Sequence, residues 1–283
     1  MQRLSSSFRD PSGFIFQHSG IIYRQVNAEY QADYEALIES GLYARLVERG
    51  LLISHEETEL QDIPVSTSCY KTLRPQQIPF ISYPYEWSFS QFKDAALTTL
   101  RIQAEALKHG LVLKDASAFN IQFINSKAVF IDSLSFEKYV DGTPWVAYKQ
   151  FCQHFLAPLA LMAYCDVELS KLLVSNIDGI PLQLASKLLP ARSRLSYGCM
   201  AHIHFHSRMQ QEYSDAASSE QLNKTEKVRV SKRGQTALVE SLAGTINKLK
   251  WKRPATEWGD YYDKTNYSEQ AGSQKRKMVA DYL

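Results

Sequence analysis

The stretch that decides the fold is Lys114-Asp-Ala-Ser-Ala-Phe-Asn-Ile-Gln-Phe-Ile-Asn-Ser-Lys-Ala-Val-Phe-Ile-Asp132. Its runs Ile121-Gln-Phe-Ile124 and Ala128-Val-Phe-Ile131 flank Asn125-Ser126-Lys127, a pattern that predicts a tight β-hairpin. Asn120 opens the first strand and Asp132 follows the second. Antiparallel pairing therefore brings both to the same open end, with backbones about 5 Å apart. Asp115 precedes Asn120 by five residues. Two oxygen-bearing side chains with a third carboxylate beside them suit a hard divalent cation such as Mg²⁺, which takes few protein ligands and completes its shell with phosphate and water.

The chain upstream reads as a smaller, β-rich lobe. Gly13-Phe-Ile-Phe16 and Ile21-Ile-Tyr-Arg-Gln-Val26 form a hairpin around His18-Ser19-Gly20. Apolar residues near the 3.6 period predict a helix from Ala28 to about Arg49, with Gly41 as its weak point. Strand-like pieces follow at Ser68 to Leu73 and Ile78 to Tyr83. The stiff Tyr83-Pro-Tyr-Glu-Trp87 segment then reads as a connector. Ser88 with Gln91 is a capping-box pattern, and it starts a helix that Gly110 ends.

Beyond the hairpin the chain turns helical. Trp145 to Tyr164 is strongly apolar with a break expected at Pro158, and helices fit Val167 to Ser175, Pro181 to Leu189 and Ser196 to Tyr213. The expected fold class is α+β, with residues 1–86 as the β-rich lobe and 87–213 as the helical lobe. Residues 214–234 read as a polar linker and 235–283 as a C-terminal helix and tail.

Composition bounds the partners. At 45% hydrophobic and 22% charged the chain can bury a full core, and 32 basic against 30 acidic residues leave a net charge of +2. That balance gives no global field for nucleic acid or anionic lipid. Four cysteines without a Cys-x-x-Cys pair suggest a reducing compartment, and no apolar run is long enough to span a bilayer. The expected location is the cytoplasm.

Other motifs read as structural. His202 and His206, at i and i+4, lack the Glu next to the first His that a zinc-peptidase helix carries, so the expectation is a helix with polar histidines. Lys248-Leu-Lys-Trp-Lys-Arg253 reads as a solvated helix end, Asp166 as a helix start and His154 as a satisfied core histidine.

Asp-x-x-x-x-Asn followed by Asp after a hairpin resembles the catalytic loop and metal-binding Asp of the protein-kinase and aminoglycoside-phosphotransferase superfamily. The resemblance implies a kinase-like fold that binds ATP with Mg²⁺. In it Asp115 is the base or orienting residue for an acceptor hydroxyl, and Asn120 and Asp132 are the metal ligands. It places Arg24, on the second strand of the first hairpin, where the phosphate-pairing lysine belongs, with Glu35 as its ion-pair partner and Lys71 as a spare phosphate contact. The connector, with Tyr83, Tyr85 and Glu86, becomes a hinge offering backbone groups to an adenine edge.

The departures narrow the reading. Leu113 stands where many kinases have His, Ser133-Leu134 replaces Phe-Gly, and both the glycine-rich loop and Ala-Pro-Glu are missing. Two functions stay open: a phosphotransferase acting on a small or unusual hydroxyl acceptor, and a catalytically inactive pseudokinase module.

A second resemblance runs along nearly the whole chain. Arg74 to Trp87, Leu113 to Phe123, Phe130 to Glu137, Pro144 to Leu156 and Thr256 to Tyr262 with Asn266-Tyr267 resemble the N-terminal region of a bacterial family of class I SAM-dependent methyltransferases related to a nodulation protein. The resemblance implies that the chain corresponds to the front portion of such a protein, with a methyltransferase domain or subunit as partner. No Gly-x-Gly occurs, so no SAM site is expected in these residues.

Overall fold

The computed structural model describes residues 2–4, 10–59, 68–205, 229–252 and 267–282. Residues 1–251 form one compact unit and residues 252–283 a second. The first unit is α+β. Its largest sheet has five strands, β1 (Gln2–Arg3), β2 (Gly13–His18), β3 (Ile21–Asn27), β4 (His55–Glu57) and β5 (Cys69–Pro75), in the order β1-β2-β3-β5-β4 and antiparallel throughout.

Arg24 is therefore on the third strand, not the second. β1 is only two residues long, too short to leave a periodic signal, and β4 is nearly as short. In register Arg24 lies between Ile15 and Leu73. The two-residue alternation puts Val26 on the same face, where it packs with Tyr30, Tyr34, Leu73 and Leu134.

The helix expected over 28–49 is two: α1 (Gln31–Glu39) and α2 (Leu42–Glu48). Gly41 separates them with φ of 75°, a left-handed conformation that ends a right-handed helix. The strand expected at Ile78 to Tyr83 does not form. Pro75 has no N–H to extend the ladder, and the Gln77 side chain closes it instead, accepting from Ile22 N–H and donating to the Ile22 and Pro75 carbonyls.

Helix α3 (Phe89–Lys108) has the reciprocal Ser88–Gln91 cap and buries Phe92, Ala95, Ala96, Leu100 and Leu107. Gly110, at φ 75°, turns the chain into β6 (Leu111–Leu113), which pairs with β9 (Phe136–Lys138) around the hairpin of β7 (Ile121–Ile124) and β8 (Lys127–Phe130). Asn125 and Ser126 form the two-residue turn with φ of 49° and 62°. Backbone bonds from Phe130 N–H to Leu51 and from Ile53 N–H to Phe130 tie the hairpin to the chain leaving α2.

The apolar stretch after Trp145 becomes α4 (Tyr148–Phe151), a π-helical turn at Cys152–Leu156 and α5 (Ala157–Tyr164). The widened turn lies just before Pro158, whose ring and missing N–H a regular ladder would not accept. The helix Lys232–Lys248 packs on α3. It buries Val239, Leu242 and Ile246, with Leu249 just beyond, and Lys93 Nζ donates to the Asn247 and Leu249 carbonyls at its C-terminus. It belongs to the first unit, so the C-terminal segment expected from residue 235 separates only after Trp251. The second unit holds the helix Glu269–Tyr282, which buries no side chain. Among the described residues no helix is long and apolar enough to cross a membrane.

Candidate functional site

The loop after β6 is held in place by buried and half-buried polar side chains. Gln103 Oε1 accepts from Leu113 N–H at 2.8 Å, Trp145 Nε1 donates to the Leu113 carbonyl at 2.8 Å, and Gln150 Oε1 accepts from Ala116 N–H at 2.7 Å. Lys114 N–H donates to the Ser135 carbonyl, joining this loop to the one after β8. Side-chain bonds to backbone at both edges leave Asp115 little freedom.

Asp115 Oδ1 accepts from Ser117 N–H at 2.8 Å and from Gln150 Nε2 at 2.9 Å. Burial raises its pKa from the ordinary aspartate value, and the charge of Asp132 adds to the rise. Hydrogen bonds from Ser117, Gln150 and Asn120 work against it.

Asn120 closes a short 3₁₀ turn, Ala118–Asn120, and its carbonyl accepts from Ile131 N–H beside Asp132. Asn120 Nδ2 donates to Ser135 Oγ at 3.3 Å, and Ser135 Oγ donates to Asp132 Oδ2 at 2.7 Å. Asp132 Oδ1 accepts from Leu134 N–H at 2.9 Å. The structure thus brings Asp115, Asn120 and Asp132 into one hydrogen-bonded cluster at the open end of the hairpin. Ser135 joins it, a residue sequence reasoning passed over. Its signal was its position three residues after Asp132, where an Asx-type turn folds the hydroxyl back onto the carboxylate.

Arg24 reaches this cluster from the sheet. Its Nη1 lies 2.8 Å from Asp132 Oδ1 and its Nη2 3.3 Å from Asp10 Oδ2. Asp10 was not foreseen either. It belongs to the β1–β2 connection, which appears only once β1 is in place. Gly13 makes the close approach possible, because a Cβ there would stand 2.0 Å from the Gln25 carbonyl and 3.0 Å from the Leu134 side chain. Lys114 Nζ donates to Ser12 Oγ at 2.8 Å and lies over the Tyr30 ring, a second tie to the same segment.

The expected Arg24–Glu35 ion pair does not form. Glu35 accepts instead from Tyr70 Oη at 2.9 Å and Gln31 Nε2 at 2.7 Å. Arg24 pairs with Asp132 and Asp10 instead. Lys71 pairs with Glu57 at 2.6 Å near the surface, so it is not brought to the cluster. In the connector, Tyr83 and Tyr85 stack at 5.5 Å, Glu86 accepts from Tyr83 N–H, and the Glu86 and Trp87 N–H groups bond the Tyr83 and Pro84 carbonyls. The Tyr83, Glu86 and Trp87 N–H groups are thus engaged within the turn itself.

A cleft of about 480 Å³ opens elsewhere on the sheet, lined by Ile21, Ser54, His55, Glu56, Arg74, Pro75, Gln76 and Gln77. A recess of about 40 Å³ shares His55 and Pro75 with it and continues to Arg24, Ile131 and Ser133.

His154 is buried and His55 half-buried, and desolvation lowers each pKa to about 4, outweighing Glu57 in one case and Asp178 in the other. The sign follows from linkage. In the unfolded chain both titrate near 6.5, so between about 6.5 and 4 the unfolded state binds more protons. Stability is fully present above about pH 6.5 and falls as pH drops toward 4, by about 2–3 kcal/mol for each histidine. Urea unfolding at pH 7 and pH 5 checks this, and replacing His55 with Gln should flatten the dependence.

Among the described residues no group of three or more His, Cys, Asp or Glu side chains could hold a metal ion. His206 lies outside the described residues, and the His202 ring nitrogens are engaged by Tyr148 and Ser241. The Thr256 to Asn266 part of the C-terminal resemblance also lies outside them.

Fold and site together define an α+β protein in which a basic strand residue faces an Asp-Asn-Asp cluster at the end of a hairpin. No family model matches the chain. It is similar to the nodulation protein NoeA of Rhizobium meliloti (strain 1021), with 31% identity over 284 aligned residues, 99% of this chain and 59% of that protein. The chain thus spans about three fifths of the length of this curated relative.

Proposed function

We propose that the first unit is a kinase-like nucleotide-binding module, in which Asp115, Asn120 and Asp132 serve the phosphate end of ATP and Asp115 acts on an acceptor hydroxyl. The observation that carries the reading is the convergence of these three side chains beneath Arg24 on a third strand. In protein kinases the phosphate-pairing basic residue is on the third strand, and the catalytic-loop Asn and the following Asp hold the metal. The raised pKa of Asp115 suits a proton acceptor, because a stronger base drives proton transfer further.

Mg²⁺ fits the donor set. Asp132 offers a carboxylate and Asn120 an amide oxygen, since the Asn120 nitrogen is already donating to Ser135 and Asp115. Two hard oxygen ligands without a further carboxylate cluster suit a cation that arrives with phosphates. When bound, Mg²⁺ would offset the charge of those phosphates.

The base is better assigned to the recess and cleft lined by Ile22, Ile53, His55, Pro75 and Gln77, which adjoin Arg24, than to the connector, whose Tyr83, Glu86 and Trp87 N–H groups are engaged within its own turn. At about 40 Å³ the recess is too narrow for a purine as it stands, so binding requires the sheet to lift from the hairpin. The 59% coverage of the longer relative favours a module that works beside further sequence, such as a methyltransferase domain.

The pseudokinase reading is favoured by one observation, the engagement of Glu35 by Tyr70 and Gln31 in place of Arg24. Isothermal titration of ATP in Mg²⁺, paired with a screen of hydroxyl acceptors for nucleotide consumption, separates the two. Saturable binding with consumption supports the enzyme, binding alone supports the module, and no binding overturns both.

A further inference from the structure

Arg24 is shared between two carboxylates, Asp132 at 2.8 Å and Asp10 at 3.3 Å, with the Arg24 and Asp132 side chains only 13% and 16% exposed. We propose that this chain of charges is an internal stand-in for the ligand. Asp10 occupies the position on Arg24 that a ligand phosphate takes, and Arg24 occupies the position on Asp132 that the accompanying divalent cation takes. The proposal rests on the nucleotide reading of the same site and adds Asp10 to it as a built-in competitor.

Asp10 is not held by Arg24 alone. Asp10 Oδ1 accepts from Ser12 N–H, the Ser12 carbonyl accepts from Asn27 N–H, Asn27 Nδ2 donates to the Pro11 carbonyl, and Lys114 Nζ donates to Ser12 Oγ. The loop is anchored to β3 and to the residue next to Asp115, so the second carboxylate oxygen is presented to Arg24 whether or not the ion pair forms. That presentation makes the carboxylate a fixed anion that a phosphate must displace.

The cation side follows from like-charge repulsion. A divalent ion on Asp132 would share a carboxylate with a guanidinium, with little water between them to screen either charge. Cation alone therefore cannot settle while Arg24 stays. A phosphate drawing Arg24 away releases Asp132, so the anion and the cation promote each other's binding, a coupling that is reciprocal by necessity. The same movement withdraws Arg24 from the wall of the narrow recess and makes room there.

Two variants of the full chain test this. Asp10→Asn keeps the acceptor for Ser12 N–H and removes the competing charge, and it should bind ATP with Mg²⁺ about three- to tenfold more tightly than wild type by isothermal titration. Arg24→Met should bind Mn²⁺ without nucleotide, followed by the loss of free-ion electron paramagnetic resonance signal, at concentrations where wild type does not. ATP affinity left unchanged or weakened by Asp10→Asn would overturn the exchange, as would wild type binding Mn²⁺ alone as tightly as Arg24→Met. A complete lack of ATP binding by both wild type and Asp10→Asn is a different result, because it overturns the nucleotide reading itself.

Discussion

Replacing Asp132 with Ala is expected to abolish the Mg²⁺-dependent part of ATP binding and to destabilise the protein by about 3 kcal/mol, the order expected when one partner of a buried ion pair is removed. The two effects share one cause. Asp132 neutralises Arg24, accepts from Leu134 N–H and Ser135 Oγ, and is the only carboxylate assigned to the cation. Without it Arg24 keeps only the more exposed Asp10, at 37% exposure, and two donors lose their acceptor. Urea unfolding reads the stability change. Isothermal titration in Mg²⁺ and in EDTA reads the binding, and Asp132→Asn separates the effects by keeping one acceptor oxygen, for Leu134 N–H, without the charge. ATP affinity that ignores both the substitution and Mg²⁺ would remove the metal assignment.

Asp115→Asn should show the opposite balance. The amide can still accept from Ser117 N–H through its oxygen, so nucleotide affinity should change by less than about threefold, within about 0.6 kcal/mol. Turnover should fall by about 10²- to 10⁴-fold, the range of a positioned general base. A base contributes mainly to the transition state, and kcat should therefore fall while the nucleotide Kd holds. Equal losses in affinity and turnover would instead make Asp115 a scaffold for the loop that Gln150 and Ser117 also hold.

Local pattern carried the reading where the determinants are close in sequence. The Asn125-Ser126 turn, the Ser88–Gln91 cap and the glycine after α3 each act within four residues, and the elements they predict are present. Gly41 shows the limit of periodicity, since the apolar spacing continues through it while the backbone does not. Strands of two or three residues, such as β1, β4, β6 and β9, are too short for alternation to register, and their partners lie far away in sequence. The cost fell on the site. Without β1 the segment carrying Asp10 had no place, and Arg24 was counted one strand early. Arg24 was expected to find Glu35 because sequence fixes which charges exist and not which of them fold together. Arg24 pairs with Asp132 and Asp10 rather than Glu35 through contacts between segments distant in sequence, which only the tertiary structure contains.

The most direct measurement of the central claim is a thermal unfolding titration of the wild-type chain with ATP, run with Mg²⁺ and again with EDTA. A ligand that binds the native state alone raises its stability by mass action, about 2.7 kcal/mol at a concentration one hundred times Kd. The assignment of Asn120 and Asp132 to a cation that accompanies the phosphates predicts a concentration-dependent rise in Tm with Mg²⁺ and a much smaller one in EDTA. A Tm that does not move with ATP in either condition would contradict it.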